Sequence, residues 1–244
     1  MRCRFLLGCG AMFSLLSYRC GRCKRTHSFC NDMGVALSAL DELFEELSSS
    51  VEHAELCQRF EDSEGKMLAV LVVANDSQEV SVLRSFSGDL GDRTDWPGFV
   101  PAVLRREKTA AQESETLVQI RSLEAEMRFS SPERTQVLRQ ERRQLSRTLM
   151  ESMHDAATLQ NRAGYIAPLR QAFDGSGIPS GTGTCALPKL LHAANVARLH
   201  PLAWAEAYFE HTQKRGQESR HQRLDAPCER RCDPILGFLL CDCV

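Results

Sequence analysis

Acidic residues are missing from the first thirty-one positions of this 244-residue chain, where six Lys or Arg flank the apolar run "FLLGCGAMFSLL". That run is about twelve residues long, well short of the ~20 that a membrane-crossing helix needs, so no membrane span is expected. Cysteine is missing from the whole middle: of eleven, none lies between Cys57 and Cys185. A secreted disulfide scaffold is shorter and spreads its cysteines through the fold, so this distribution points to a reducing compartment with thiols or a metal. Aromatic residues are only 7% and the net charge is −2, which excludes a generally basic nucleic-acid binder but leaves a local basic face open. Repeats and low-complexity tracts are absent.

What is present reads as four segments. Residues 1–32 form a basic, acid-free leader, in the pattern of an organelle transit peptide (mitochondrion or plastid), a secretory signal or an unstructured leader. Apart from such a signal the protein is expected to be intracellular. Residues 33–101 open the core domain. Val35, Leu37, Leu40, Leu43, Phe44 and Leu47 recur every three to four positions, which predicts an amphipathic helix ending at the serine run. Met67 to Val73 is continuously apolar and β-branched, "NDSQ" supplies a turn, and Val80, Val82 and Leu83 resume the pattern. This predicts a β-hairpin whose first strand is buried on both faces. A loop containing "FSGDLG" follows, pinned to the core by Trp96, Phe99 and Val100.

Residues 102–163 are expected to be a long antiparallel helical hairpin inserted into the core domain. One helix runs from Ala102 to about Met127, with Leu117, Ile120, Leu123 and Met127 on one stripe. "SSPER" ends it and starts the next, with Ser131 as cap, Pro132 in the first turn and Glu133 at the positive helix end. The second runs to about Asn161 through Leu138, Leu145, Leu149 and Met153. Its arginines, Arg134, Arg139, Arg142, Arg143 and Arg147, form either a solvated ion-pair face or an RNA-phosphate stripe. Residues 164–244 complete the core with a helix after "GTGTCALPKLL", a strand at "LHPLAWAEAYFEH" and a short helix or turn at "PCERRCDPILGFLL". The fold class is therefore α+β, a small sheet packed with helices.

Cys185 stands where a glycine-rich loop enters a helix, and Cys228 and Cys232, four apart, share one helical face. Together they offer a three-sulfur site for zinc with a fourth position open to water, or closed by His192, His200 or His221. Buried thiols without metal are the alternative. "CGRC" at Cys20 to Cys23 has ligand-pair spacing but no second pair at finger-like distance. The order strand, strand, ligand helix, strand, Pro-Cys resembles the zinc-dependent nucleoside and nucleic-acid deaminases. Those enzymes carry a catalytic Glu two residues after the first ligand, where this chain has Leu187, and a Pro-Cys-x-x-Cys pair, where this chain has one residue more. Glu206, with Lys189 beside it, is the candidate for the acid/base role.

"GKMLAVLVV…SFSGDLG…WPGFVPAVL", "LSRTLMESMHDAATLQNRAG", "GTGTCALPKLLHAANVARLHPLAWAEAYF" and "PCERRCDPILGFLL" are similar, in order, to the N-terminal region of pseudouridine synthases of the ribosomal large-subunit and tRNA class. The resemblance spans roughly Met33 to Phe238. It implies a stand-alone relative of that region: an accessory RNA-modification module whose partners are RNA or an RNA-modifying enzyme. It implies no synthase activity, since "HQRLDAP" at His221 to Pro227 lacks the downstream Thr-Ser-Gly and Asp225 reads as a loop residue. A zinc hydrolase of deaminase type and a scaffold that binds a protein partner through its helical hairpin are the competing readings.

Overall fold

A computed structural model describes residues 13–63, 65–90, 93, 95–103, 109–210 and 224–244. Its centre is a three-stranded antiparallel sheet. β3 (Lys66–Ala74) lies between β4 (Val80–Phe86) and β7 (His200–Phe209), so strands that flank the inserted helices in sequence are neighbours in one sheet. The apolar run of β3 is buried from Leu68 to Ala74 because helices cover both of its faces, the condition under which a strand loses its polar alternation. Asn75 and Gln78 make the β3–β4 turn, with Asn75 Oδ1 accepting from the Glu79 amide.

The first face of the sheet is covered by α1 (Met33–Ser49) and α2 (Ala54–Asp62). Asp32 caps α1 by accepting from the Gly34 amide, and the helix buries Leu40, Leu43, Phe44 and Leu47 of the expected stripe, with Ala36 in place of Val35, which is exposed, and Leu37, which is partly buried. These side chains meet Leu68, Val70, Val72, Ala203, Ala205 and Phe209. Phe44 stacks on Phe209 at 5.4 Å, and Phe60 of α2 meets Phe86 and Phe209 edge-on. Trp96 and Phe99 fold the loop after β4 onto the same cluster.

The second face carries the chemistry. α6 (Ala186–Val196) and α7 (Asp233–Leu239) pack over Ala69, Leu71, Val73 and Trp204, joined by the four-residue α5 (Leu169–Ala172). Each fully buried leucine here contributes about 1.5–3 kcal/mol of transfer free energy.

Residues 13–32, read from the sequence as part of a basic leader, form a β-hairpin packed on the core. β1 (Phe13–Arg19) pairs antiparallel with β2 (Thr26–Asp32), and Cys20 and Phe29 are buried. Arg19, Lys24 and Arg25 sit on exposed positions of this hairpin, while Arg22 is half-buried over the Tyr165 ring. Asn31 joins it to the sheet: its amide donates to Trp204 O at 3.0 Å and its oxygen accepts from Trp204 N at 2.7 Å, so one side chain pairs with β7 as a strand would. Residues 1–12, with Cys3 and Cys9, lie outside the described residues.

Two helical boundaries also differ from expectation. α3 (Ala110–Met127) begins after Thr109, because Val103 is drawn into the core instead of continuing a helix. α4 (Pro132–Ala156) stops before Ala157, where the chain turns into β5 (Thr158–Gln160) paired with β6 (Ile166–Pro168). Leu159 needs that strand conformation to be fully buried. Ser131 caps α4 by accepting from the Arg134 amide. α4 runs back along α3, with Arg134 on Glu126, Arg142 on Glu124, and Ser152 on Gln112. Buried apolar residues of this pair are Leu138 and Leu149, both on α4. No helix among the described residues is long and apolar enough to cross a membrane.

Gly237 sits where α7 presses on the end of β1, and a Cβ there would overlap the Arg19 carbonyl. Alanine would gain about 1 kcal/mol of helix propensity, but displacing a backbone contact in a packed core costs about 1–3 kcal/mol or more. Gly237→Ala is therefore expected to lower stability by about 2 kcal/mol. A shift of the urea midpoint to lower concentration at unchanged slope checks it; an unchanged or raised midpoint contradicts it.

Candidate metal centre

The loop that leads into α6 is shaped by two glycines with positive φ, Gly181 and Gly183. Thr182 Oγ1 donates to Pro179 O, and Thr184 Oγ1 donates to Gly181 O, both at 2.8 Å. These bonds turn the chain so that Cys185 becomes the first residue of the helix entry, its N-cap. Gly88 in the "FSG" loop donates its amide to Thr184 O at 2.7 Å, tying the end of β4 to the same turn.

Cys228 and Cys232 bracket a single helical turn, in which the amides of Cys232 and Asp233 both donate to Cys228 O. Cys232 is in turn the N-cap of α7. The sulfurs of Cys228 and Cys232 are 3.4 Å apart, and those of all three cysteines lie within 4.8 Å of one another. Cys232 is buried, Cys185 half-buried and Cys228 exposed, so the cluster lies at the rim of the core with one side toward solvent. The three cysteines singled out in the sequence are thus brought together.

Their electrostatics are those of a ligand set waiting for a cation. A hydrogen bond from Cys232, with another from Cys228 and the charges of Arg231 and Lys189, outweighs burial and holds the Cys185 thiol down at about 6. Cys232 is pushed up, because its proton is the one that it donates to Cys185. A divalent ion would take all three as thiolates and leave its fourth position free, the arrangement that lets zinc hold and activate water.

The two candidates for acid/base work take different places. Glu206, on β7 opposite Ala69, is 8% exposed. Burial first, then the charges of Cys185 and Asp225, push its carboxyl up to about 8. It lines a cavity of about 290 Å³ with Asn31, Trp204, Leu224, Asp225 and Pro227, the residue before Cys228. The Trp204 Nε1 that belongs to this lining is buried without a partner among the described residues. The Asp225 amide donates to Glu206 O, so the "RLDAP" stretch, described from Leu224 on, closes over β7. Lys189, one turn after Cys185, points away into the end of β4. Its Nζ donates to Phe86 O at 2.9 Å and Gly88 O at 2.7 Å and lies over the Phe86 ring, which makes it an anchor for the "FSG" loop.

The histidines considered as a fourth ligand are elsewhere. His192 Nδ1 accepts from the Gln160 amide, His200 pairs with Asp76 at the far end of β7, and His221 lies outside the described residues. Leu187, at the position of a deaminase's glutamate, is 2% exposed and part of the core. Arg139, Arg143 and Arg147 are exposed on α4, while Arg142 is paired with Glu124.

A second cluster was not legible from sequence spacing: Cys20, Cys23, His27 and Cys241 also place their ligand atoms within 4.8 Å of one another. Its local signal is the "CGRCKRTH" stretch, with a fourth ligand supplied from the other end of the chain.

An anchoring role for Lys189 predicts that Lys189→Met removes the ammonium donor from Gly88 O and leaves Phe86 O with only the Ser85 hydroxyl. A loss of about 2 kcal/mol is expected, offset in part by removal of a buried charge. Chemical denaturation of the variant beside the wild type checks this. Full stability with altered activity would instead assign Lys189 to catalysis.

Comparison with protein-family models, with curated proteins and with solved structures finds no match to this chain.

Proposed function

We propose that this chain is a zinc-centred accessory module of RNA modification, similar to the N-terminal region of pseudouridine synthases. The observation that carries the reading is a convergence. The stretches bearing the resemblance, "FSG", "GTGTCALPKLL", "AEAYF" and "PCERRC", are far apart in sequence. Their residues Gly88, Cys185, Glu206, Cys228 and Cys232 nevertheless meet on one face of the sheet, with Lys189 anchoring the "FSG" loop beside them. A set of motifs with no common purpose has no physical reason to share one site.

RNA would be met by α4. Arg139, Arg143 and Arg147 are spaced by four, so they line one exposed helical face, and none makes an ion pair among the described residues. With few aromatics to stack on bases, the contact is to phosphates and depends on shape more than on sequence. The test is binding of the full chain to a structured ribosomal RNA fragment between roughly 50 and 200 mM salt, read by fluorescence anisotropy. Affinity is expected to fall steeply with salt. The Arg139→Gln, Arg143→Gln, Arg147→Gln variant should reduce the logarithmic slope by about two, from three lost contacts at ~0.7 each. Binding that ignores both salt and these substitutions contradicts the reading.

A deaminase-like hydrolase is the second reading, favoured by the placement of Glu206. The strand order β4-β3-β7, with one ligand at the head of α6 and two at the head of α7, matches the order of elements on which that reading rests. A zinc ion there would supply an activated water. Glu206 would, as carboxylate, take a proton from that water and then give it to the leaving amine at the cavity it lines. Ammonia release from cytidine, adenosine or RNA by zinc-loaded protein, lost on Glu206→Gln, is the result this reading expects. No turnover by the zinc-loaded wild type removes it and leaves the accessory module.

A further inference from the structure

We propose that Cys20, Cys23, His27 and Cys241 form a second, closed zinc site that fastens the N-terminal hairpin to the C-terminal end of the chain. It is independent of the first centre and of the function assigned there.

The geometry is that of a structural ligand set. Cys20 follows β1, Cys23 closes the turn, and His27 stands in β2, giving the spacing Cys-x2-Cys-x3-His within one hairpin. Cys241 follows α7, and its sulfur lies 3.7 Å from that of Cys23. Tetrahedral zinc with Zn–S bonds of ~2.3 Å separates its sulfurs by ~3.8 Å, so this edge is already at the coordinated distance. His27 Nε2 is 3.1 Å from Cys23 Sγ, and all four ligand atoms are within 4.8 Å of one another. Three thiolates and one imidazole fill all four positions of zinc and leave none for water, which marks a structural site.

The backbone around the cluster is shaped for thiolates. The Cys23 amide donates to Cys20 Sγ and the Cys243 amide to Cys241 Sγ, each at 3.4 Å. Lys24 adopts a positive φ of 61° so that the turn can close, and its amide donates to Cys20 O. A Cβ on Gly21 would lie 2.8 Å from Phe173 O, so only glycine lets this turn sit against the end of α5. Cys20 and Cys241 are fully buried while Cys23 and His27 are half-exposed, an inner pair and an outer pair through which an ion can enter. Around them Arg22 donates to Cys243 O and Asn161 donates to the same oxygen, so hairpin, β5 loop and chain end meet at one point.

The test is zinc stoichiometry of the full chain, purified under reducing conditions, by elemental analysis. Two equivalents are expected in the wild type, one in Cys23→Ser, and one in Cys228→Ser. If the wild type holds one equivalent, lost in Cys228→Ser and kept in Cys23→Ser, the second site is overturned while the first centre stands. The opposite pattern overturns the first centre alone. Because Cys23→Ser removes a ligand from the core and can fail to fold, His27→Cys provides the second measurement. With cobalt in place of zinc, His27→Cys is expected to keep two tetrahedral ions and raise the thiolate-to-cobalt absorption by the contribution of one added sulfur. An unchanged spectrum in His27→Cys, or a Cys23–Cys241 disulfide in the reduced preparation, overturns the site.

Discussion

The juxtaposition of three sulfurs at the heads of α6 and α7 is the constraint on which the rest of this face depends. Three sulfurs within 4.8 Å of one another would repel as thiolates, and a cation held among them would allow every sulfur to ligate as thiolate. To bring them together, the chain uses two left-handed glycines before Cys185 and a one-turn bracket between Cys228 and Cys232. It also uses a buried lysine, whose ammonium ties the end of β4 to the same helix. None of these devices would be needed merely to pack α6 on the sheet.

The two clusters divide the stabilisation of one small domain. A three-stranded sheet with a doubly buried central strand has cover on both faces, but the second face rests on α6 and α7 and on short elements such as α5, β5 and β6. Short elements bring little cooperative stability of their own. Metal cross-links at their ends, as proposed, would serve instead: one would join the entries of α6 and α7, and the other the N-terminal hairpin to the residue that follows α7. Since α7 lies between Cys232 and Cys241, both centres hold the same seven-residue helix, one at each end. Glu206 and its cavity lie between β7 and the hairpin, so hairpin placement also shapes the space in front of the carboxylate.

Much of this was legible in the sequence because its signals are local. The helical stripe from Ala36 to Leu47, the apolar run of β3, the Ser131 cap and the cysteine at the entry of α6 each depend on neighbours a few residues away. The hairpin at 13–32 was missed because its basic, acid-free composition imitates a targeting segment, although the alternating exposure of Ser14 to Arg19 is the strand signature. β5 and β6 have three residues each, too few for any periodicity. The second cluster was hidden for a different reason. Cys23 and Cys241 are 218 residues apart, and only the fold places them together. For Lys189 the residue was found but its role was not, since a lysine one helical turn from a ligand points toward catalysis or toward a backbone anchor depending on where β4 ends.

X-ray absorption at the zinc edge of the full-length, reduced protein tests the central claim most directly. The account predicts a first shell dominated by sulfur at about 2.3 Å, with a minor nitrogen and oxygen contribution at about 2.0–2.1 Å from one histidine and from water at the open position of the first centre, averaged over two ions. A first shell of oxygen and nitrogen alone, without sulfur, would mean that neither cysteine cluster binds the metal and would contradict the account.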